Sequence, residues 1–201
     1  MIITRFCAGD PDSRVRLAGS GGDVSQGKQG CRAPSPYPEV KVEVPNVYYA
    51  RLLMEDHAGL VSELSAITQY LYHHQLLMPK YRDVAELLDC IAQVEMKHME
   101  LLGEAIVKLG GRPKYGVKQT GGIRWWKGED IYYGYDLCDM LSADIEGEKE
   151  AIAQYQKHIE MIDDRFIKKL LARIIEDERE HIRLLKEKFN KYCQCRKGEE
   201  N

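Results

Sequence analysis

The sequence predicts an all-α protein: a four-helix bundle of two antiparallel helical hairpins joined by a long crossover, with an irregular N-terminal extension. Three observations predict it. Apolar residues recur at helical spacing through four long segments of the 201-residue chain. Turn signals leave only short joints between segments one and two and between segments three and four, whereas the middle joint is long. One hairpin pattern also occurs twice, at a nearly constant offset.

Residues 1–45 stand apart. Gly9, Gly19, Gly21, Gly22, Gly27, Gly30, Pro34, Pro36 and Pro38 break any helix, and only Val40-Lys41-Val42-Glu43-Val44 alternates like a strand. This extension is expected to be flexible or to drape over the main domain. The first helical segment covers about residues 46–78 and ends at Pro79, with Leu52, Leu53, Leu60, Leu64, Ile67, Leu71 and Leu77 as its apolar surface. The second starts near Arg82 and stops at Gly110-Gly111-Arg112-Pro113. The third covers about residues 136–162. Asp163-Asp164 offers a cap for the fourth, which carries Phe166, Leu170, Leu171, Ile174, Ile175, Ile182, Leu185 and Phe189. Helices of roughly 25 to 30 residues would each be about 40 Å long. The bundle thus occupies residues 46–192, and 193–201 form a polar tail. Trp125-Trp126 and Tyr132-Tyr133-Gly134-Tyr135 would let the crossover pack on the bundle or on a partner subunit.

Composition excludes several classes. With 30% charged residues and a net charge of −3, nothing points to nucleic acid or to an anionic membrane. No apolar run is long enough to span a bilayer, and the first residues lack the basic-then-apolar layout of a secretory signal. The cysteines, at 7, 31, 90, 138, 193 and 195, form no C-x-x-C pair. Cys90 and Cys138 read as small buried hydrophobes, and Cys193 and Cys195 as free thiols of a tail. Nothing demands an oxidising compartment, so the expected setting is the cytoplasm.

The anomaly lies on the buried stripes. Helix two carries Glu95-Met96-Lys97-His98 and helix four Glu178-Arg179-Glu180-His181, each a Glu-x-x-His with both side chains on one face. They stand where the stripe should continue apolar, between Ile91 and Leu102 and between Ile174 and Leu185. A buried carboxylate costs on the order of several kcal/mol unless it is paired or bound to a metal. Helices one and three add Glu63 and Glu148, which lie 85 positions apart; Ala, Ile, Gln, Tyr and His recur at the same offset. The Glu-x-x-His motifs lie 83 apart. Packed about a pseudo-two-fold axis, the hairpins would gather four Glu and two His in mid-bundle, the arrangement of di-metal carboxylate centres. An oxygen-rich set with one nitrogen per cation suits iron or manganese, with zinc an occupant that purification can leave behind. Glu95 and Glu178 are the expected bridges; Glu63 with His98, and Glu148 with His181, the terminal ligands.

Other polar positions read less sharply. Tyr70 and Tyr155 fall near the same face and are candidates to hydrogen-bond the ligands. His73 and His158 read as buried polar residues rather than ligands. Asp56, His57 and His74 have no repeat partner and read as ordinary polar positions, and Glu176, Asp177 and Glu180 as solvated helix charges.

Over about residues 46–192 this pattern resembles the ferritin-like superfamily, in particular its rubrerythrin, bacterioferritin and manganese catalase branches. The resemblance implies a di-iron or di-manganese centre that reacts with dioxygen or hydrogen peroxide. The departures are specific. There is no rubredoxin-like cysteine site, Glu146 and Glu150 lie off the face where rubrerythrins place an additional glutamate, and Met54 alone stands for a haem-ligating methionine. Manganese catalases usually have a larger body. The closest fit is a rubrerythrin-like di-iron oxidoreductase that reduces hydrogen peroxide or dioxygen, with reducing equivalents from an unidentified donor or from ferrous iron. Disproportionation of peroxide by manganese and ferroxidase or iron-storage activity are the alternatives. A homodimer or higher homo-oligomer is expected.

Overall fold

The computed structural model describes residues 30–194. The glycines before residue 30, Cys7 and Cys195 lie outside them. The elements are α1 (Val47–Ala58), α2 (Glu63–Leu77), α3 (Arg82–Lys108), β1 (Gly116–Gln119), β2 (Gly122–Trp125), α4 (Leu137–Met161) and α5 (Arg165–Cys193). α2 packs along α3 and α4 along α5, so the two hairpins of the all-α bundle are present. α2 and α4 touch each other little. Asn46, Ser62, Asp136 and Asp164 cap their helices through side-chain oxygens.

The first segment is two helices, not one. Gly59 leaves the helix with extended backbone, and a Cβ there would stand 2.4 Å from the Glu55 carbonyl oxygen. The Ser62 hydroxyl then accepts from the Ser65 N–H and starts α2. The break also explains why Asp56 finds no partner at the constant offset. Seven positions separate Asp56 from Glu63, but four separate its counterpart Asp144 from Glu148. Hairpin one carries three extra residues, and they fall at the break.

Two apolar clusters build the core. One joins Leu53, Leu102, Ile106, Ile162, Leu171 and Ile174; the other joins Val84, Leu88, Ile91, Leu141, Leu184 and Leu185. A polar layer lies between them along α3, α4 and α5.

Residues 30–46 drape over the bundle without regular structure. Val40–Val44 is not a strand; Val40 is buried in the first cluster. Arg173 on α5 donates to the Ser35 and Ala33 carbonyls, and the Glu43 N–H donates to Asp164. A disulfide from Cys31 to Cys90 on α3 fastens this strap. A second disulfide joins Cys138, at the start of α4, to Cys193, at the end of α5. Cys90 and Cys138 are therefore cross-linked rather than free core thiols, and Cys193 is tied to the bundle. Cysteine usage no longer argues for a reducing compartment.

The crossover holds an unforeseen antiparallel hairpin, with Gln119 opposite Gly122 and Gly121 at φ +100° in the turn. Trp126 covers the bundle, its indole N–H donating to the Ser65 hydroxyl, whereas Trp125 is exposed. No helix among the described residues is long and apolar enough to cross a membrane.

His57 is not an ordinary polar position but a buried one. It stacks on Tyr115, its Nδ1 has no hydrogen-bond partner, and burial pushes its pKa down to about 4. Between pH 6.5 and about 4 the unfolded chain takes up a proton that the folded chain refuses. Stability from this site is complete above that window and falls as pH drops through it. A His57→Phe variant should lose on the order of 2 kcal/mol less than the parent between pH 7 and pH 4, read by urea unfolding at both values.

Candidate metal centre

The six residues singled out by the repeat come from four helices. Ser62 ends the break so that Glu63 opens α2 with its side chain inward. Glu95 and His98 stand one turn apart on α3, as do Glu178 and His181 on α5, and Glu148 faces them from α4. All six are at most 3% exposed. His98 Nδ1 lies 2.8 Å from Glu95, 3.4 Å from Glu178 and 3.7 Å from Glu63. His181 Nδ1 lies 2.9 Å from Glu95, 3.0 Å from Glu178 and 3.2 Å from Glu148. Two sets result, Glu63/Glu95/His98/Glu178 and Glu95/Glu148/Glu178/His181, each offering atoms within 4.8 Å of one another. Glu95 and Glu178 belong to both.

The sequence family whose signature is the ferritin-like domain matches residues 57–194. The chain belongs to the ferritin-like family. A probable manganese catalase of Clostridium acetobutylicum is 27% identical over 171 residues, 76% of this chain and 75% of that protein. A bacterioferritin of Mycobacterium leprae is 32% identical over 136 residues, 66% of this chain and 77% of that protein. Among solved structures, a manganese catalase from Anabaena superposes with a TM-score of 0.71 at 22% identity, covering 79% of this chain and 78% of the other. That likeness shows the shared fold.

This ferritin-like centre has the donor chemistry for two cations. His181 Nδ1 is buried 2.9 Å from Glu95 Oε1 and 3.0 Å from Glu178 Oε2, yet none of these three atoms has a hydrogen-bond partner of acceptable geometry. They converge on common points instead of pairing. Burial and repulsion from Glu95 raise the pKa of Glu63 well above the ordinary value, and burial with repulsion from Glu178 and Glu95 does the same to Glu148. Burial alone would raise Glu95 too, but His181 and His98 more than offset it. Burial would lower both histidines; the surrounding carboxylates raise them instead. A cation entering this box displaces protons, so binding weakens as pH falls.

Around the box the pseudo-symmetry continues. Tyr70 donates to Glu148 and Tyr155 to Glu63, each across to the other hairpin. Gln69 and His73 hold Asp144, at 2.9 Å each, and Gln154 and His158 hold Asp56, at 2.8 Å each. The crossover closes one side, where His73 Nε2 meets the Tyr132 carbonyl at 2.9 Å. His73 and His158 are buried polar residues, as expected. Asp56 is not an ordinary polar position, since it mirrors Asp144. Between α2 and α4 a cavity of about 340 Å³ reaches Glu63, Glu95, Glu148 and Glu178, with Gln69 and Gln154 in its walls.

Asp177 is not a solvated helix charge. It is fully buried, 2.9 Å from His98 Nε2, and accepts from the Tyr37 hydroxyl and the Ala33 N–H; Arg173 Nη1 is 2.8 Å away. The burying element is the strap, which helical periodicity of α5 does not report. In the sequence, its one mark is that it directly precedes the ligand-type Glu178.

Proposed function

We propose that the chain is a dinuclear metal oxidoreductase that processes hydrogen peroxide. Glu63 and His98 would hold one cation, Glu148 and His181 the other, with Glu95 and Glu178 shared. The observation that carries this reading is the membership of Glu95 and Glu178 in both four-residue sets, each completed by one imidazole Nδ1. Bound metal would supply Lewis acidity and the electrons exchanged with the oxidant. The chain's own groups do the rest. Tyr70 and Tyr155 fix the rotation of Glu148 and Glu63. The cavity between α2 and α4 admits a molecule the size of peroxide to the carboxylates, while the two apolar clusters keep bulk water from the other sides.

Disproportionation at a manganese pair is placed first: two peroxides give two waters and one dioxygen, with no external electrons. The likeness to the probable manganese catalase over three quarters of both chains supports it. The second form is an iron pair, reducing peroxide or dioxygen with electrons from a separate donor, or oxidising ferrous iron for storage. The bacterioferritin relatives support it. The reading includes self-association, for which exposed Val47, Tyr48 and Val107 supply apolar surface; the two disulfides remove the argument for the cytoplasmic setting expected from the sequence.

Elemental analysis of protein made under manganese-replete and iron-replete conditions tests this, together with oxygen release from peroxide without reductant. About two manganese per chain and reductant-free oxygen release are expected. About two irons with turnover only when reductant is present would move the second form to first place. No bound metal under either condition would overturn the proposal, and zinc alone, with no turnover, would overturn its catalytic part.

A further inference from the structure

The two halves of the centre differ behind the histidines. Asp177 precedes Glu178 on α5; the position 83 residues earlier, preceding Glu95 on α3, is Val94. His98 Nε2 donates to Asp177 at 2.9 Å. His181 is equally buried, but its Nε2 has no hydrogen-bond partner among the described residues. The pseudo-two-fold symmetry that relates the six donors, and the tyrosines behind Glu63 and Glu148, is therefore broken behind the two histidines.

We infer that the two cation positions are unequal: the one beside His98 is the tighter and fills first, with Asp177 as its positioning residue. This rests on the two-cation reading above. A carboxylate on the far nitrogen of an imidazole fixes the ring and its tautomer and strengthens the near nitrogen as a donor, an effect worth about 10- to 100-fold in metal affinity. Only His98 has one. Asp177 is itself held rigidly by the Ala33 N–H, the Tyr37 hydroxyl and Arg173, whose guanidinium lies 4.5 Å from the centre of the Tyr37 ring. The strap thus reaches the centre on the His98 side, through Asp177 and through the Tyr37 ring, whose centre lies 5.9 Å from that of His98. Val94 offers His181 neither orientation nor basicity.

Sharing of Glu95 and Glu178 would weaken a second ion even in a symmetric centre, so unequal binding alone does not decide. The test is where the first ion sits. Metal-free full-length protein given one equivalent of Mn(II) is crystallised and its anomalous scattering mapped, and free Mn(II) is followed by electron paramagnetic resonance through a titration. The expected result is a single dominant peak beside His98 and two affinities about 10- to 100-fold apart. Asp177→Asn should weaken the first ion about tenfold or more and spread one equivalent over both positions. Because that variant removes the buried charge paired with Arg173 and can fail to fold, Val94→Asn is the second probe. It gives His181 a neutral acceptor and should narrow the gap. A first peak beside His181, equal occupancy, or a gap unchanged in Val94→Asn would overturn the inference while leaving the dinuclear reading intact. No Mn(II) bound at all would overturn both.

Discussion

Replacing Glu178 by alanine should take bound metal from two ions per chain to one or none and lower peroxide turnover more than about 100-fold. Loss of a group merely behind a ligand costs about 10- to 100-fold in affinity or activity, and Glu178 belongs to both halves of the centre. The same variant separates a metal centre from a bundle that only buries polar pairs. In the parent, a cation present at 100 times its dissociation constant adds about 2.7 kcal/mol per site to stability, so added manganese raises the melting temperature. In Glu178→Ala that rise should disappear. A parent whose melting temperature ignores metal, and a variant that is simply destabilised by about 3–5 kcal/mol, would identify a structural cluster and remove the functional reading.

Reduction of the disulfides should have the largest effect on stability. The bridges close loops of 59 and 55 residues, for which chain entropy alone gives about 4 kcal/mol each, against a common measured range of about 2–4. For a domain of this size each bridge corresponds to a melting-temperature difference of about 10 °C. Thermal unfolding with and without reductant measures the sum, and Cys31→Ser and Cys138→Ser apportion it. Cys138→Ser should act on stability alone. Cys31→Ser should in addition loosen the strap that carries Ala33 and Tyr37 to Asp177 and so weaken metal binding. Equal metal affinity in both variants would show that the strap holds Asp177 without its disulfide.

What the sequence conveys well is whatever repeats. The offsets of 85 and 83 pick out the six buried side chains that the structure gathers, because symmetry about a bundle axis forces equivalent residues to meet. The cap Asp164 is legible for a local reason, as its hydrogen bonds reach only two or three residues along the chain. The failures are non-local. The pairing of Cys31 with Cys90 and of Cys138 with Cys193 depends on which helix ends are neighbours, and spacing does not encode that. Asp177 reads as a surface charge until the strap covers it. Asp56 hides its counterpart Asp144 behind three inserted residues. The β1–β2 hairpin rests on Gly121 and Gly122, whose positive φ values follow from a turn that a helix-centred reading passes over.

The division of the core into two apolar clusters has a consequence for cooperativity. A layer of four carboxylates and two imidazoles separates them, and apolar contacts do not carry across it. Each half of the bundle therefore has its own reason to stay folded, and both disulfides belong to the half built around Leu88 and Leu141. Without cations the molecule is two adjoining units that share long helices. Cations held there would tie α2, α3, α4 and α5 at one level, so that the halves would open or close together. In that sense the same ions that would perform the chemistry would also turn two folding units into one.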